Sequence, residues 1–475
     1  MPMKKRLPVL LLLLSCLASH ADRAARPNIV LVMADDQGWG DMAYNGHPFL
    51  VTPQFDKAAR EGLRFDRFYA AAPVCSPTRA SVMTGRTPNR MGVFKWGYPI
   101  RPQETTIAEV LRENGYRTGH FGKWHLGSVR NASPASPGAN GFEVWASAPN
   151  FYENDPIFSF GGKAQQTRGE SSMVTVQLAL SFMKKAVADE RPFFSVVWFG
   201  SPHGPHQAVA QDRAPYQKLP ERDQHFLGEI TGMDRAFGVL RDQLEEWGIR
   251  ENTILWYCSD NGALPRVGST GGHRGNKGKV YDGGLLVPAI LEWPARIKAP
   301  RVTRMRCTTS DIYPTLLEIT GAKPKKRPVL DGISLLPLID GKSEQRAKPL
   351  GFWDTTRPGI GTPSAKWMRE LLDAQARGED LQPHPSSLKA AQLPDPKHSL
   401  DSFPGHAAWI SGDWKLHRIQ GGKSGNARWE LFNLASDHKE KQDLFGREPK
   451  RAKQMQVELD AWLQSVARSF NGEDY

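Results

Sequence analysis

Three continuously apolar runs frame the chain: Asn28–Ala34 (NIVLVMA), Phe193–Gly200 (FFSVVWFG) and Thr253–Cys258 (TILWYC). Short runs of this kind are strands buried on both faces of an α/β sheet. Each stops on polar residues: Asp35-Asp36 after the first, Ser201-Pro202-His203-Gly204-Pro205-His206 after the second, Ser259-Asp260-Asn261-Gly262 after the third. A shorter run, Tyr116–Phe121, leads into Lys123-Trp124-His125. Helical patterns fill the intervals. Thr106-x-x-Glu109 is a capping box that predicts a helix over Ile107–Glu113, ending at Asn114-Gly115. Ser172–Val187 and Leu227–Trp247 read as amphipathic helices. Open α/β sheets bind ligands beyond the carboxyl ends of their strands. Four strand ends here carry Asp, His, Lys and Asn, so the pattern predicts an active site along that edge.

The α/β alternation fades after a helix at Asp311–Gly321 and the turn-rich stretch Asp331–Gly341. Residues 355–404 are rich in Pro, Ser and charge, with one helical piece at Lys366–Ala376, and read as a long surface insertion. Beyond them, Ala407–Ile410 and Trp414–Ile419 form a hairpin across Ser411-Gly412-Asp413, Trp429–Leu434 is a further strand, and Ala452–Ala467 is an amphipathic helix. The division expected is a signal peptide over 1–21, an α/β catalytic domain over 26–344, and a smaller antiparallel α+β subdomain over 345–475.

Composition narrows the class. An apolar fraction of 39% and a charged fraction of 24% are globular values. The 44 glycines and 36 prolines exceed the usual combined share of about 12% and predict many loops. Lys4, Lys5 and Arg6 precede an apolar run over Leu7–Leu17, with small residues near Ser19 and Ala21. That is the build of a secretory signal peptide, too short for a membrane span. The protein is therefore expected to be secreted or periplasmic. Leu13-Leu14-Ser15-Cys16 also resembles a lipobox, so anchoring through a lipid on Cys16 stays open. No other segment has the length of a transmembrane helix. The net charge of +12 suits an anionic partner. No nucleic-acid-binding motif accompanies it, so an acidic polysaccharide fits better than nucleic acid. Outside the signal segment only Cys75, Cys258 and Cys307 remain, which is not a disulfide framework.

Cys75 carries the most specific chemistry. In Cys75-Ser76-Pro77-Thr78-Arg79, Pro77 suits the first turn of a helix, which puts Cys75 at a helix N-terminus with Arg79 four residues on and on the same face. A sulfur at a positive helix end beside an arginine suggests an activated nucleophile.

Cys-x-Pro-x-Arg followed by Thr84-Gly85-Arg86 resembles the signature of the type I, formylglycine-dependent sulfatases, apart from Thr78, where Ser or Ala is usual. Other segments follow in the family's order: Asp35-Asp36-Gln37-Gly38, Gly122-Lys123-Trp124-His125-Leu126-Gly127, Ser259-Asp260-Asn261-Gly262, and Asn276-Lys277-Gly278-Lys279 with Tyr281-Asp282-Gly283-Gly284. The segments look nearer to the arylsulfatase A and N-acetylgalactosamine-6-sulfatase branch than to glucosamine sulfatases. The resemblance implies an alkaline-phosphatase-like fold, with a large central mixed sheet flanked by helices. It also implies that a maturation enzyme oxidises Cys75 to formylglycine. Asp35, Asp36, Asp260 and Asn261 offer only oxygen ligands, which suits a hard divalent cation. The family implies calcium, also contacted by the modified Cys75, with magnesium the alternative.

Roles for the remaining residues follow from the same resemblance. Arg79 holds the nucleophile, and Lys123 and Lys277 stabilise sulfuryl charge. His203, with Lys277, protonates the leaving alcohol, and His125 takes the proton that releases sulfate. His206 is either a substrate contact or a solvated loop residue. The expected substrate is a sulfate ester, favoured on a sulfated carbohydrate, read by loops such as Ser147–Phe151 and residues 355–404. Two alternatives stand: a phosphate or phosphonate ester hydrolase of the same superfamily, and a non-catalytic binder of sulfated glycans.

Overall fold

The computed structural model describes residues 26–326, 328–383, 385–420 and 426–475. The expected signal peptide and Cys16 lie outside these residues. Eleven strands form one mixed sheet: β1 (Asn28–Ala34), β2 (Leu63–Tyr69), β3 (Arg117–Lys123), β4 (Val144–Ala148), β5 (Ile157–Phe160), β6 (Lys163–Gln166), β7 (Phe193–Trp198), β8 (Thr253–Ser259), β9 (Leu286–Glu292), β10 (Arg301–Thr303) and β11 (Cys307–Thr308). Their order is β10-β2-β9-β8-β1-β7-β3-β4-β5-β6, with β11 also beside β2. The centre, β8-β1-β7-β3-β4, is parallel, and β9 runs against it. β1 pairs β8 on one side and β7 on the other, so the chain crosses over in both directions around it. A crevice at such a switch point is where open sheets bind ligands.

Helices cover both faces, as the unbroken apolar strands require. Against one face lie α1 (Pro53–Glu61), α4 (Ser171–Ala188) and α5 (Glu221–Glu246), whose Phe55, Val176, Ala179, Phe226 and Phe237 pack with Val30, Val32, Val197 and Tyr257. Against the other lie α2 (Cys75–Thr84), α3 (Ile107–Glu113) and α6 (Ile312–Thr320), whose Val82, Met83, Val110, Leu111 and Leu316 pack with Ile29, Leu31, Val196 and Trp256. The capping box of α3 forms in both directions, with Glu109 N–H donating to Thr106 Oγ1 and Thr106 N–H to Glu109 Oε2. α5 begins six residues before the expected Leu227, because its first turn is the polar Glu221-Arg222-Asp223 behind Pro220 and shows no apolar period.

The C-terminal part is a four-stranded antiparallel sheet, β12 (Leu350–Asp354), β13 (Gly405–Ser411), β14 (Trp414–Gln420) and β15 (Arg428–Asn433). One face carries α8 (Pro449–Phe470) through Leu459, Leu463 and Val466. The other, through Phe352, Ala408 and Ile410, docks on Tyr69, Leu285 and Leu286 of the large domain. Polar contacts fix the join. Asp331 accepts from Thr87 N–H, Arg90 and Trp462, while Arg90 also reaches Ser465 and Ser469.

The described residues of 355–404, expected as a surface insertion, are mostly exposed or half-buried, but one helix in them packs inward. Their helix α7 (Ser364–Ala376) buries Met368, Leu371 and Ala374, and the first two join the core of the large domain. Its Gln375 bonds Gly162 and Ala164 of the β5–β6 turn region, and Thr362 O accepts from Asn150 Nδ2 at 3.1 Å. The apolar residues at 368, 371 and 374 share one helix face, and that face is covered rather than solvated.

Candidate active site

The four central strands end on one edge, and their hydrogen-bond ladder continues into the loops. Asp35 N–H donates to Ser201 O, Asp260 N–H to Ala34 O, and Phe199 N–H to Met33 O. This carries Asp35-Asp36 beyond β1, Asp260-Asn261 beyond β8, His203 beyond β7 and His125 just past β3. α2 delivers Cys75 as its first residue, after Val74, which provides no side-chain cap. Thr78 Oγ1 bonds both backbone groups of Ala72 and pins the approach to that helix. The loop bearing Lys277 is tied to this approach by Gly278 N–H to Pro73 O at 2.8 Å.

Cys75, Asp35 and Asp36 converge so that one ligand atom from each lies within 4.8 Å of the others. Three buried carboxylates face three cations. Arg79 donates from Nε and NH2 to Asp260 Oδ2 at 3.0 and 2.6 Å, Lys123 Nζ lies 2.5 Å from Asp35 Oδ2, and Lys277 Nζ lies 2.6 Å from Asp36. Arg79 also donates to Lys123 O and stacks 5.0 Å over the Trp198 ring. Burial raises the Asp35 carboxyl, with Asp260 and Asp36 adding to it against Lys123. Asp36 is held well below the usual carboxylate range, because Lys277, His203 and Lys123 outweigh its burial. Two buried acceptors, Asp35 Oδ1 and Asn261 Oδ1, have no donor among the described residues. Bare oxygens within an all-oxygen set fit a hard cation such as calcium. Asp35, Asp36, Asp260 and Asn261 would hold it, next to residue 75.

The thiol corrects one sequence expectation. Burial pushes Cys75 up to about 12, despite Lys123 and Lys277. Arg79 is committed to Asp260, and an unmodified Cys75 is a neutral thiol at neutral pH rather than an activated thiolate.

The two histidines differ in setting. His125 is 2% exposed, neither ring nitrogen has a hydrogen-bond partner among the described residues, and burial keeps it neutral. Its φ of 54°, like the 73° of Asp36, lies in the left-handed region. Backbone strain of this kind collects at functional sites. Gly122, at φ 100° on the same segment, admits no side chain, because a Cβ would sit 1.9 Å from Trp198 O. His203 is at the rim, its ring stacked on Phe151 at 4.1 Å. Nδ1 bonds Gly204 O at 2.7 Å, and Nε2 lies 3.5 Å from Asp36 Oδ2. Burial lowers its pKa to about 4, against the pull of Asp36. His206 instead faces Glu229, 3.6 Å away, and the edge of Phe226.

The structure thus gathers Asp35, Asp36, Cys75, Arg79, Lys123, His125, His203, Asp260, Asn261 and Lys277 at one sheet edge. Sequence reasoning missed the support beneath Lys277. Asp282, in the same segment, is bound by buried Lys415 Nζ at 2.6 Å, and its N–H donates to Glu440, which also takes His417 Nε2 at 2.8 Å. These partners come from the C-terminal subdomain, at least 133 positions away, and no local pattern announces them.

A family model described as Sulfatase matches residues 27–322. The chain is 33% identical to the N-acetylgalactosamine-6-sulfatase of Canis lupus familiaris over 376 residues, 70% of each protein. It is 31% identical to arylsulfatase A of Homo sapiens over 442 residues, 83% of this chain and 85% of the relative. Among solved structures, Ps i-CgsB in complex with k-i-k-neocarrahexaose superposes with a TM-score of 0.76 at 24% identity, covering 92% of this chain and 93% of that one.

Proposed function

The chain belongs to the sulfatase family, and from that premise we propose that it cleaves sulfate esters of carbohydrates with a formylglycine at position 75 and a calcium ion beside it. The observation that carries this reading is the matched set of three carboxylates and three cations around Cys75, with two acceptor oxygens left over. The set is already balanced without a metal, so a divalent cation gives the pocket a net positive charge, which attracts a sulfate anion.

Calcium would supply Lewis-acid charge at the sulfuryl oxygens. Formylglycine, when hydrated, would supply a hydroxyl nucleophile with a second hydroxyl on the same carbon. Each side chain then has a task. Arg79, held by Asp260 and Lys123 O, fixes positive charge beside residue 75. Lys123 Nζ and Lys277 Nζ bind the sulfuryl oxygens as negative charge spreads over them. His203 Nε2, on the rim where a leaving group departs, gives that oxygen its proton, with Lys277 nearby. His125, buried and neutral, is free to accept a proton from the side chain at position 75 and so to free sulfate. Phe151 holds the His203 ring in place. The apolar run at Leu7–Leu17 and the basic chain fit a secreted enzyme acting on an acidic polysaccharide.

The test is turnover of nitrophenyl sulfate against nitrophenyl phosphate by purified enzyme, before and after chelation. The expected result is a preference for the sulfate that disappears on chelation and returns with calcium. A preference for phosphate, or for a phosphonate monoester, would move the activity to the superfamily's other branch. No turnover of any ester by metal-loaded, matured protein would leave a glycan binder.

A further inference from the structure

Arg130 lies in the connection between β3 and β4, five residues beyond His125. Its backbone is pinned: Arg130 N–H donates to Ser128 Oγ at 3.3 Å, Ser133 N–H to Arg130 O at 3.1 Å, and Val129 O accepts from Ser159 Oγ at 2.6 Å. The side chain is half-buried, yet its guanidinium has no hydrogen bond or ion pair among the described residues. Glu370 and Asp380 act on it at a distance, and Glu370 is engaged by Lys366 at 3.9 Å. A guanidinium is always charged, and one that faces a cavity without a protein partner is open to an anionic ligand.

Arg130 lines a cavity whose wall also includes His125, Gly97, Trp367, Met368 and Glu370. Gly97 N–H donates to Ser76 Oγ at 2.8 Å, so this cavity begins beside residue 75. Its far wall is α7, latched down by Asn150–Thr362 and by Ile360 N–H to Trp96 O at 2.9 Å. An indole, an apolar floor, a carboxylate and a guanidinium together form a surface for a sugar ring and its substituents.

The geometry points to Arg130 as the residue that binds a second anionic group, a carboxylate or a sulfate, on the sugar whose sulfate ester is seated at residue 75. This rests on the sulfatase reading above and adds the substrate class: a sugar with a second negative charge. A charge-assisted hydrogen bond of this kind corresponds to about ten- to a hundredfold in kcat/KM.

The experiment compares three substrates: a hexosamine monosulfate, its disulfate, and a disaccharide joining the monosulfate to a uronate. Nitrophenyl sulfate turnover by wild type is measured first, and its absence fails the sulfatase reading and this proposal together. Given that turnover, wild type is expected to prefer the disulfate or the uronate by tenfold or more, and whichever is preferred identifies the second anion. Arg130→Gln should bring the ratio of kcat/KM values close to one. Arg130→Lys, which keeps the charge without the planar fork, should keep part of the preference. Wild type with no preference for either dianionic substrate, or a preference that survives Arg130→Gln, overturns this proposal and leaves the sulfatase reading standing.

Discussion

Asp260→Ala is expected to lower turnover by about a thousandfold and to melt well below wild type, and both effects have one structural source. Asp260 takes two bonds from Arg79 and one from Asp36 N–H, and all three residues are fully buried. Truncation leaves the Arg79 guanidinium buried beside a single carboxylate 3.7 Å away. Breaking such a pair costs about 3–5 kcal/mol. It also removes one proposed metal ligand, and lost charge stabilisation of several kcal/mol corresponds to about three powers of ten in rate. Asp260→Asn separates the two consequences. It keeps an acceptor for Asp36 N–H and loses the negative charge, so it should fold better than Asp260→Ala yet still bind calcium weakly. The measurements are metal content, Tm with and without calcium, and nitrophenyl sulfate turnover. Calcium at a hundred times its Kd should raise wild-type stability by about 2.7 kcal/mol and do much less for either variant.

His125→Ala and His203→Ala should separate by leaving group. His203 sits against Phe151, and in the proposed mechanism it protonates the departing alcohol. Its loss should cost about 10²–10⁴-fold on a sugar sulfate, whose alkoxide needs a proton, and far less on nitrophenyl sulfate. His125 is buried and, in the proposed mechanism, acts after the alcohol has left, so His125→Ala should slow steady-state turnover of both substrates. It should also give a burst of nitrophenol, about one per active site, before a slow phase. The pH dependence follows from the same assignment. A donor must be protonated, and the His203 pKa is lowered to about 4. Its protonated fraction therefore falls as pH rises above that value, and kcat/KM for a sugar sulfate should fall with it in wild type but not in His203→Ala. Equal losses on both substrates for both variants, without a burst, would contradict these roles.

The parts of this site that a reader of the sequence could find are those written in single segments. Asp35-Asp36, Lys123-Trp124-His125, Asp260-Asn261 and the Cys75 helix are each contiguous in the chain, and the first three follow apolar runs that mark buried strands. Long-range partners are not legible in this way. Nothing local says that Lys415 and Glu440 brace Asp282, or that Gly278 bonds Pro73. Strands β2, β5 and β6 went unseen for a different reason. In β2 (LRFDRFY) a register shift between Phe65 and Phe68 breaks the apolar alternation with Asp66-Arg67, and β5 and β6 are only four residues each. The segment 355–404 was read as a surface insertion because its composition is polar. The main inward-facing stretch there is the face of α7 carrying Met368, Leu371 and Ala374, with Phe403 buried further on, too little to outweigh its Pro, Ser and charge. The Cys75 thiol was misjudged because helix position and Arg79 are visible in sequence, whereas burial and the prior claim of Asp260 on Arg79 are not.

The central claim is that residue 75 acts as formylglycine. The buried thiol, pushed up to about 12, gives the claim its chemical motive, since it offers neither a thiolate nor paired hydroxyls at neutral pH. Peptide mass spectrometry of the segment containing residue 75, on enzyme assayed for nitrophenyl sulfate turnover, tests it most directly. The account predicts an aldehyde without sulfur at position 75, in a fraction that rises and falls with specific activity across preparations made with and without a maturation enzyme. Full activity in a preparation whose residue 75 is entirely unmodified cysteine would contradict it.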